Sequence, residues 1–373
     1  MTQRPALQIS HSIVYSEPGR YAGWPANYGI WSWGDEVVLG FTAGYTDPGV
    51  DGHKRTRERP FETLQARSGD GGGKWDVARM PCQSPGDRAL SANEHQTPAL
   101  QIDARILEAT SFETPNGSVD FTHPDFALMC ARTGLGAGAV SWFYTSTDRC
   151  RSWQGPFRLP DFGQPGIAAR TDYLVSGPRT CTLFLTAAKS DGHEGRVFAA
   201  RTVDGGQSFD FLSWLGGEPT GFSIMPSSVR LSPASIVTAV RRAENGSWGE
   251  RRCWIELYRS DDDGETWTLL GEAAGTGRGG NPPAMLQLAD GRLCLTYGYR
   301  DVPAGIRARL SHDEGRSWGE ELILRDDGGD GDLGYPRSVQ RPDGKVVTAY
   351  YFNTDPLGDR FIGATLWDPA QIP

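Results

Sequence analysis

Apolar and polar positions alternate along most of this 373-residue chain in short runs, and turn-forming residues separate the runs. Pro283 to Leu288, Arg292 to Tyr299 and Gly305 to Leu310 form one set of three, with a turn at Ala289, Asp290 and Gly291 between the first two. The same order recurs in Pro226 to Leu231, Ile236 to Val240 and Cys253 to Tyr258, and again in Tyr335 to Val339, Lys345 to Tyr351 and Arg360 to Trp367. A period of two places successive side chains on opposite faces of an extended chain, so each run predicts a β-strand.

A second pattern punctuates the sets. The form Ser-x-Asp-x-Gly-x-x-Trp occurs in full from Ser68 to Trp75, from Ser260 to Trp267 and from Ser311 to Trp318. Two further copies vary it: Ser146 to Trp153 has Cys150 in place of the glycine, and Thr202 to Phe209 changes both end residues. The starts lie 51 to 78 residues apart, about the length of four short strands and their loops. The chemistry is that of a hairpin turn, in which Asp accepts from the turn's own N–H groups, Gly supplies positive φ and the aromatic ring covers the hairpin.

Repetition on this scale predicts radial packing of like sheets. The last set of three strands lacks a fourth, and Leu7 to Tyr15 at the other end of the chain is free to supply it. Five turn-bearing units and one without give six. The expected fold is therefore all-β, a six-bladed propeller of four-stranded antiparallel blades closed by its two termini, one domain over residues 1–373, with an insertion at about 91–117.

Composition agrees. Gly and Pro number 48 and 25, about a fifth of the chain, which excludes a helical protein. No apolar run approaches the ~18 residues of a membrane span. With 37 Lys plus Arg against 46 Asp plus Glu, the formal charge of -9 argues against nucleic acid or an anionic membrane as partner. The first eight residues contain no basic segment leading into an apolar stretch, so a cytoplasmic location is expected. Six scattered cysteines without a Cys-x-x-Cys pair read as buried thiols. No phosphate-binding loop, dinucleotide fingerprint or spaced ligand set is present, and no cofactor is expected. The acidic stretch from Asp326 to Asp332 reads as a solvated loop or as a weak cation site.

In a propeller, first-strand starts and second-strand ends share one face around the axis. First-strand starts carry Asn27, the pair His123 and Asp125, the pair Arg170 and Asp172, Met225, Asn281 and Tyr335. Second-strand ends carry Tyr45 with Asp47 and Asp51, then Arg132, Lys189, Arg241 with Arg242, Arg300, and Asn353 with Asp355. Cations thus gather on one face of an acidic protein, which implies an anionic ligand, most simply a carboxylate held by guanidinium forks. Tyr335 among them is a candidate nucleophile or proton donor, its pKa open to lowering by the cations. Asp51, Asp125 and Asp172 are carboxylates for acid and base roles, His123 is a candidate proton shuttle, and the same first-blade loop carries His53. Trp24, Trp31 and Trp33 offer a stacking platform for a sugar, or core packing.

These turns and this strand order resemble the sialidase (neuraminidase) superfamily, six-bladed propellers whose members hold a substrate carboxylate with three Arg. The resemblance implies a Tyr nucleophile activated by a Glu, and an Asp acid/base from a first-blade loop. It places Arg241 and Arg300 at the second and third Arg, Tyr335 at the nucleophile, and Asp51 or Asp47 at the acid/base. Two departures stand out. The stretch matching the first Arg reads Ala22 to Pro25, with Arg20 out of register, and the position of the Glu is Met225. The resemblance thus implies a divergent glycoside hydrolase that removes a terminal acidic sugar from a glycan, with Arg241, Arg300, Arg170, Asp172, Arg20, Asn281, Lys189 and Trp24 toward the substrate. A uronate lyase, with Tyr335 or His123 moving the proton, and a non-catalytic glycan-binding propeller are the alternatives.

Overall fold

The computed structural model describes residues 8–246 and 250–372. Six antiparallel sheets follow one another along the chain, and each is a blade. The third blade shows the plan: Tyr173–Gly177 is innermost, followed outward by Thr180–Ala188, Glu194–Thr202 and Asp210–Trp214. The fourth (Phe222–Arg230, Ile236–Ala243, Cys253–Ser260, Thr268–Gly275) and fifth (Pro283–Gln287, Leu293–Tyr299, Gly305–Ser311, Leu322–Arg325) repeat it. In the sixth, Gly334–Gln340, Val346–Phe352 and Phe361–Trp367 are completed by Ile9–Tyr15, which pairs with Phe361–Trp367. The expected closure of the ring by the two ends of the chain is what the structure shows.

The first two blades depart from the plan. In the first, the inner edge is split: Arg20–Gly23 and Ile30–Trp33 both pair with Glu36–Tyr45, with Pro25–Asn27 turning between them. In the second, three strands form, Ala127–Arg132, Ser141–Ser146 and Gln154–Arg158. The segment before them, where an insertion is expected, contains the helix Ala104–Ala109 and three short turns, Pro85–Asp87, Asn93–His95 and Pro98–Leu100.

The five Ser/Thr-Asp turns are built alike. In the first, the Ser68 hydroxyl donates to Asp70 and accepts from Gly72 N, both at 2.8 Å, and Lys74 N donates to the same carboxylate at 2.9 Å. Asp204, Asp262 and Asp313 accept the corresponding bonds in their turns. Each turn lies between the two outer strands of its blade, on the face away from the starts of the inner strands. Apolar side chains fill the spaces between blades. Five of the six cysteines are buried among them and all six are unpaired.

Candidate functional site

Three inner strands begin with the same device. Trp24, Met225 and Tyr335 each precede a proline and each have positive φ, at 59°, 54° and 51°. The left-handed conformation is costly for a side-chain-bearing residue, and it persists where surrounding contacts dictate it. In the fourth and sixth blades it coincides with a break in register, between Ile224 and Ser227 and between Gly334 and Arg337. Each break re-aims one side chain, Met225 in the fourth blade and Tyr335 in the sixth, and both reach Arg241.

The sixth-blade device is held by Asn281. Its Oδ1 accepts from Tyr335 N at 2.8 Å and its Nδ2 donates to the Leu333 carbonyl at 2.9 Å. A Cβ at Gly334 would come within 2.3 Å of Nδ2, so only glycine admits this clamp. Asn281 is fully buried and spends both ends of its amide on backbone. It therefore positions Tyr335, a correction to its expected place against substrate.

Around the Tyr335 ring the structure brings together Arg241 and Arg300, and the charge of Arg170 also acts on it; all three are buried and each comes from a different blade. Arg241 Nη1 donates to the Tyr335 hydroxyl at 3.1 Å, while Nη2 bonds the Gly279 carbonyl and Nε is buried with no hydrogen-bond partner among the described residues. The guanidinium carbons of Arg241 and Arg300 lie 5.8 and 5.7 Å from the centre of the Tyr335 ring. Arg300 also donates to the Tyr351 hydroxyl at 3.0 Å and to the Leu333 carbonyl. Arg170 bonds Asn27 at 3.2 Å and pairs with Glu194. Burial of the Tyr335 phenol opposes its ionisation, but the charges of Arg241, Arg300 and Arg170 and the bond from Arg241 outweigh it and hold the pKa below the ordinary tyrosine value. Met225, where the resemblance calls for Glu, turns its sulfur to Arg241 Nη1 at 3.8 Å.

Arg300 forms part of the wall of a cavity of about 790 Å³. Asp51, His53, Lys54 and Arg55 of the first-blade loop line it from one side, and Arg278, Asp330 and Asp332 from the other. Asp51 is exposed at its edge. Asp47 turns back to cap Gly49 N of its own loop at 3.0 Å.

Several expected residues lie elsewhere. His123 and Asp125 stand on the opposite face. The segment ending at Asp125 is not an inner strand, because Ala127–Arg132 is the second strand of its blade and begins opposite Ser146, the first residue of a Ser/Thr-Asp turn. There Asp125 pairs with Arg149 at 2.6 Å, and the His123 ring accepts from Asp125 N. Asp172 is buried between inner strands, taking Ser228 N and Oγ at 3.1 and 2.8 Å; burial raises its pKa against the pull of Arg337. Lys189 pairs with Asp191 in its own loop at 2.6 Å. Arg20 pairs with Glu62 at 2.6 Å and covers the Tyr45 ring, so it does not complete the cluster at Tyr335. Trp24 is fully buried beneath the His95 ring of the insertion, stacked at 3.9 Å and 10°, which closes it to a sugar. Trp31 packs on Trp153, and Trp33 Nε1 donates to the Pro124 carbonyl.

Sequence reasoning missed the partners of the acidic stretch. Asp330 and Asp332 both meet the guanidinium of Arg360, at 2.7 and 3.0 Å, so the loop is neutralised by an ion pair rather than left to solvent. Among the described residues no His, Cys, Asp and Glu cluster has the arrangement to hold a metal ion. The signal for Asp332 was its place three residues before Tyr335, which brings it to the cup but says nothing of its partner.

The model of the BNR repeat-like domain matches residues 126–348, more than half of the chain. The chain belongs to the BNR repeat-like family. Among solved structures, this BNR repeat-like chain is similar to a protein of unknown function from Dyadobacter fermentans, with TM-score 0.69 and 20% identity over 96% of this chain and 99% of that one. It is also similar to the NanB sialidase of Streptococcus pneumoniae, with TM-score 0.59 and 12% identity over 97% and 71% of the two chains. The α-L-arabinofuranosidase Arb93A of Fusarium graminearum gives 0.58 and 10% over 97% and 99%. At these identities the likeness is one of fold, a sialidase-like propeller that also carries arabinofuranosidase activity elsewhere. Comparison with curated protein sequences gives no match.

Proposed function

We propose that this protein is a glycoside hydrolase that removes a terminal acidic sugar from a glycan. The observation that carries the reading is the meeting of Tyr335 with the buried guanidiniums of Arg241 and Arg300, the second of which lines a cavity large enough for one or two sugar rings. The guanidiniums would hold the carboxylate of the sugar, and the same charges lower the Tyr335 pKa, which favours its anionic, nucleophilic form. A tyrosine nucleophile suits an anionic sugar, because sialidases escape the usual two-carboxylate scheme in this way. The sialidase and arabinofuranosidase neighbours support a glycosidase on this fold.

Hydrolysis of a panel of fluorogenic glycosides, containing sialosides, uronides, arabinofuranosides and deoxysugars, tests the reading. Release of the fluorophore from an acidic glycoside is expected, and inactivity across the panel refutes it. Met225 favours one second reading. With a thioether where a carboxylate base is expected, Tyr335 is equipped to take the proton next to a uronate carboxylate while the glycosidic C–O bond breaks and a C=C bond forms. An ultraviolet-absorbing unsaturated product from an acidic polysaccharide, without hydrolysis, would establish that lyase instead.

A further inference from the structure

The cavity beside Tyr335 has a second chemical centre, 279 positions apart in sequence. His53 Nδ1 lies 2.6 Å from Asp332 Oδ1. That carboxylate is fully committed as an anion. Its Oδ1 also accepts from the Tyr351 hydroxyl at 2.9 Å and the Tyr21 hydroxyl at 3.4 Å, and its Oδ2 accepts from Lys54 N and Arg360 Nε, each at 3.0 Å. Against an acceptor so placed, Nδ1 carries the proton of the ring, and the ring orientation is fixed. The described residues make no hydrogen bond to Nε2. Both His53 and Asp332 line the cavity, and the His53 side chain keeps 19% of its surface exposed. The packing is tight elsewhere: the His53 ring meets the edges of Trp24 and His95, each at 5.2 Å between centres.

Tyr351 links this pair to the nucleophile candidate. Its hydroxyl receives Arg300 Nη2 and donates to Asp332, and its ring lies 5.9 Å from that of Tyr335 and 6.3 Å from that of His53. A sugar bound by Arg300 over Tyr335 therefore has His53 on its flank.

We propose that His53, oriented by Asp332, is the proton-transfer residue of this site, in the place where the sequence pointed to Asp51 or Asp47. The assignment rests on the hydrolase reading above. In the first step the phenolate oxygen of Tyr335 bonds to the anomeric carbon as the bond to the leaving oxygen breaks, and that leaving oxygen takes the Nε2 proton of the imidazolium. In the second, Nε2 takes a proton from the water whose oxygen displaces Tyr335. The proton returns to the ring and Tyr335 leaves as it began, so one histidine closes the cycle. Asp332 stabilises the imidazolium without itself gaining the proton, as a triad carboxylate does.

The groups facing His53 set its titration. Burial lowers its pKa, with Arg300 and Arg55 acting in the same sense, and Asp332 pulls it back up; the net direction is down. Tyr21, Tyr351 and His95 complete the surroundings, and His95, itself lowered far by burial and by its cationic neighbours, stays neutral. Since the first step needs the protonated ring and the ionised Tyr335 together, kcat/KM follows a bell-shaped pH profile, whose histidine transition lies below the ordinary value of about 6.5.

The test uses the full chain, the acidic glycoside that the panel identifies, and the variants His53→Gln and His53→Ala. Expected are a loss of about 10²- to 10⁴-fold in kcat/KM, disappearance of the histidine transition, and partial recovery of His53→Ala by added imidazole. Circular dichroism spectra matching the wild type keep a folding defect apart from a chemical one, and imidazole rescue is a result that a merely structural histidine does not give. Wild-type turnover with an unchanged rate and pH profile in His53→Gln overturns the histidine while the hydrolase reading stands. Inactivity of the wild type on the whole panel overturns both.

Discussion

The two faces of the ring handle charge in opposite ways. In the Ser/Thr-Asp turns, the carboxylate of the turn finds its partners within four residues: Asp262 takes Thr266 N and Oγ and the Ser260 hydroxyl, and Asp313 repeats the set. On the cup face the partners come from other blades. Arg241 reaches Tyr335 across 94 positions, Arg170 reaches Asn27 across 143, and His53 reaches Asp332 across 279. Local satisfaction lets each turn close on itself, whereas the side chains of the cup face are placed only by the assembled ring.

The largest effect that sharpens this contrast is at Tyr335. Tyr335→Phe removes the hydroxyl that Arg241 Nη1 holds and leaves the ring and the Asn281 clamp in place. Turnover of an acidic glycoside is expected to fall by about a thousandfold or more, with thermal stability nearly unchanged. A variant that keeps a tenth of wild-type turnover would place the chemistry elsewhere. An ultraviolet difference titration of wild type against this variant adds a second reading, since the absent tyrosine is expected to ionise below the ordinary value of about 10.

The turn face is probed by acid. Hydrogen bonds hold the Asp262 and Asp313 carboxyls down to about 2, through the Thr266 and Ser317 side chains first; at Asp204 burial is the largest single influence and pushes upward, but the bonds from Ser208 and Thr202 together outweigh it and hold the carboxyl at about 2. A carboxyl with a lower pKa folded than unfolded stabilises the fold above its unfolded value, and the contribution is lost as pH falls toward the folded one. Thermal stability is therefore expected to drop between about pH 4 and pH 2. Asp262→Asn should flatten part of that drop and cost about 1 kcal/mol at neutral pH, as loss of a capping carboxylate does. A variant with the wild-type acid profile would show that the turns do not set it.

The same contrast explains what was legible in the sequence. Strand order, ring closure and the five turns follow from local rules, alternation for strands and Asp and Gly chemistry for turns, and these carried the fold to its closing strand Ile9–Tyr15. Arg241, Arg300 and Tyr335 were legible because their positions at strand ends fix the face they occupy. Which side chains pair is a property of the assembled ring. Nothing near Asp332 in the chain announces His53, nothing near Trp24 announces that His95 covers it, and the amide of Asn281 is spent on a backbone 52 positions away. His123 and Asp125 were misplaced for a different reason: the second blade forms three strands, so counting from its missing inner strand moved both to the wrong face.

That misplacement yields the smallest prediction. Asp125 holds Arg149 at 2.6 Å with both side chains about a third exposed, and Arg149 also reaches Glu36 at 3.1 Å. Exposed ion pairs of this kind contribute about 0.2–1 kcal/mol, and Glu36 retains part of the pairing when Asp125 is neutralised. Asp125→Asn is thus expected to shift stability by less than about 1 kcal/mol and to leave glycoside turnover at the wild-type level. Catalysis that collapsed in this variant would mean that chemistry reaches the turn face after all, and the division of labour between the two faces would fail at the residue where it is easiest to check.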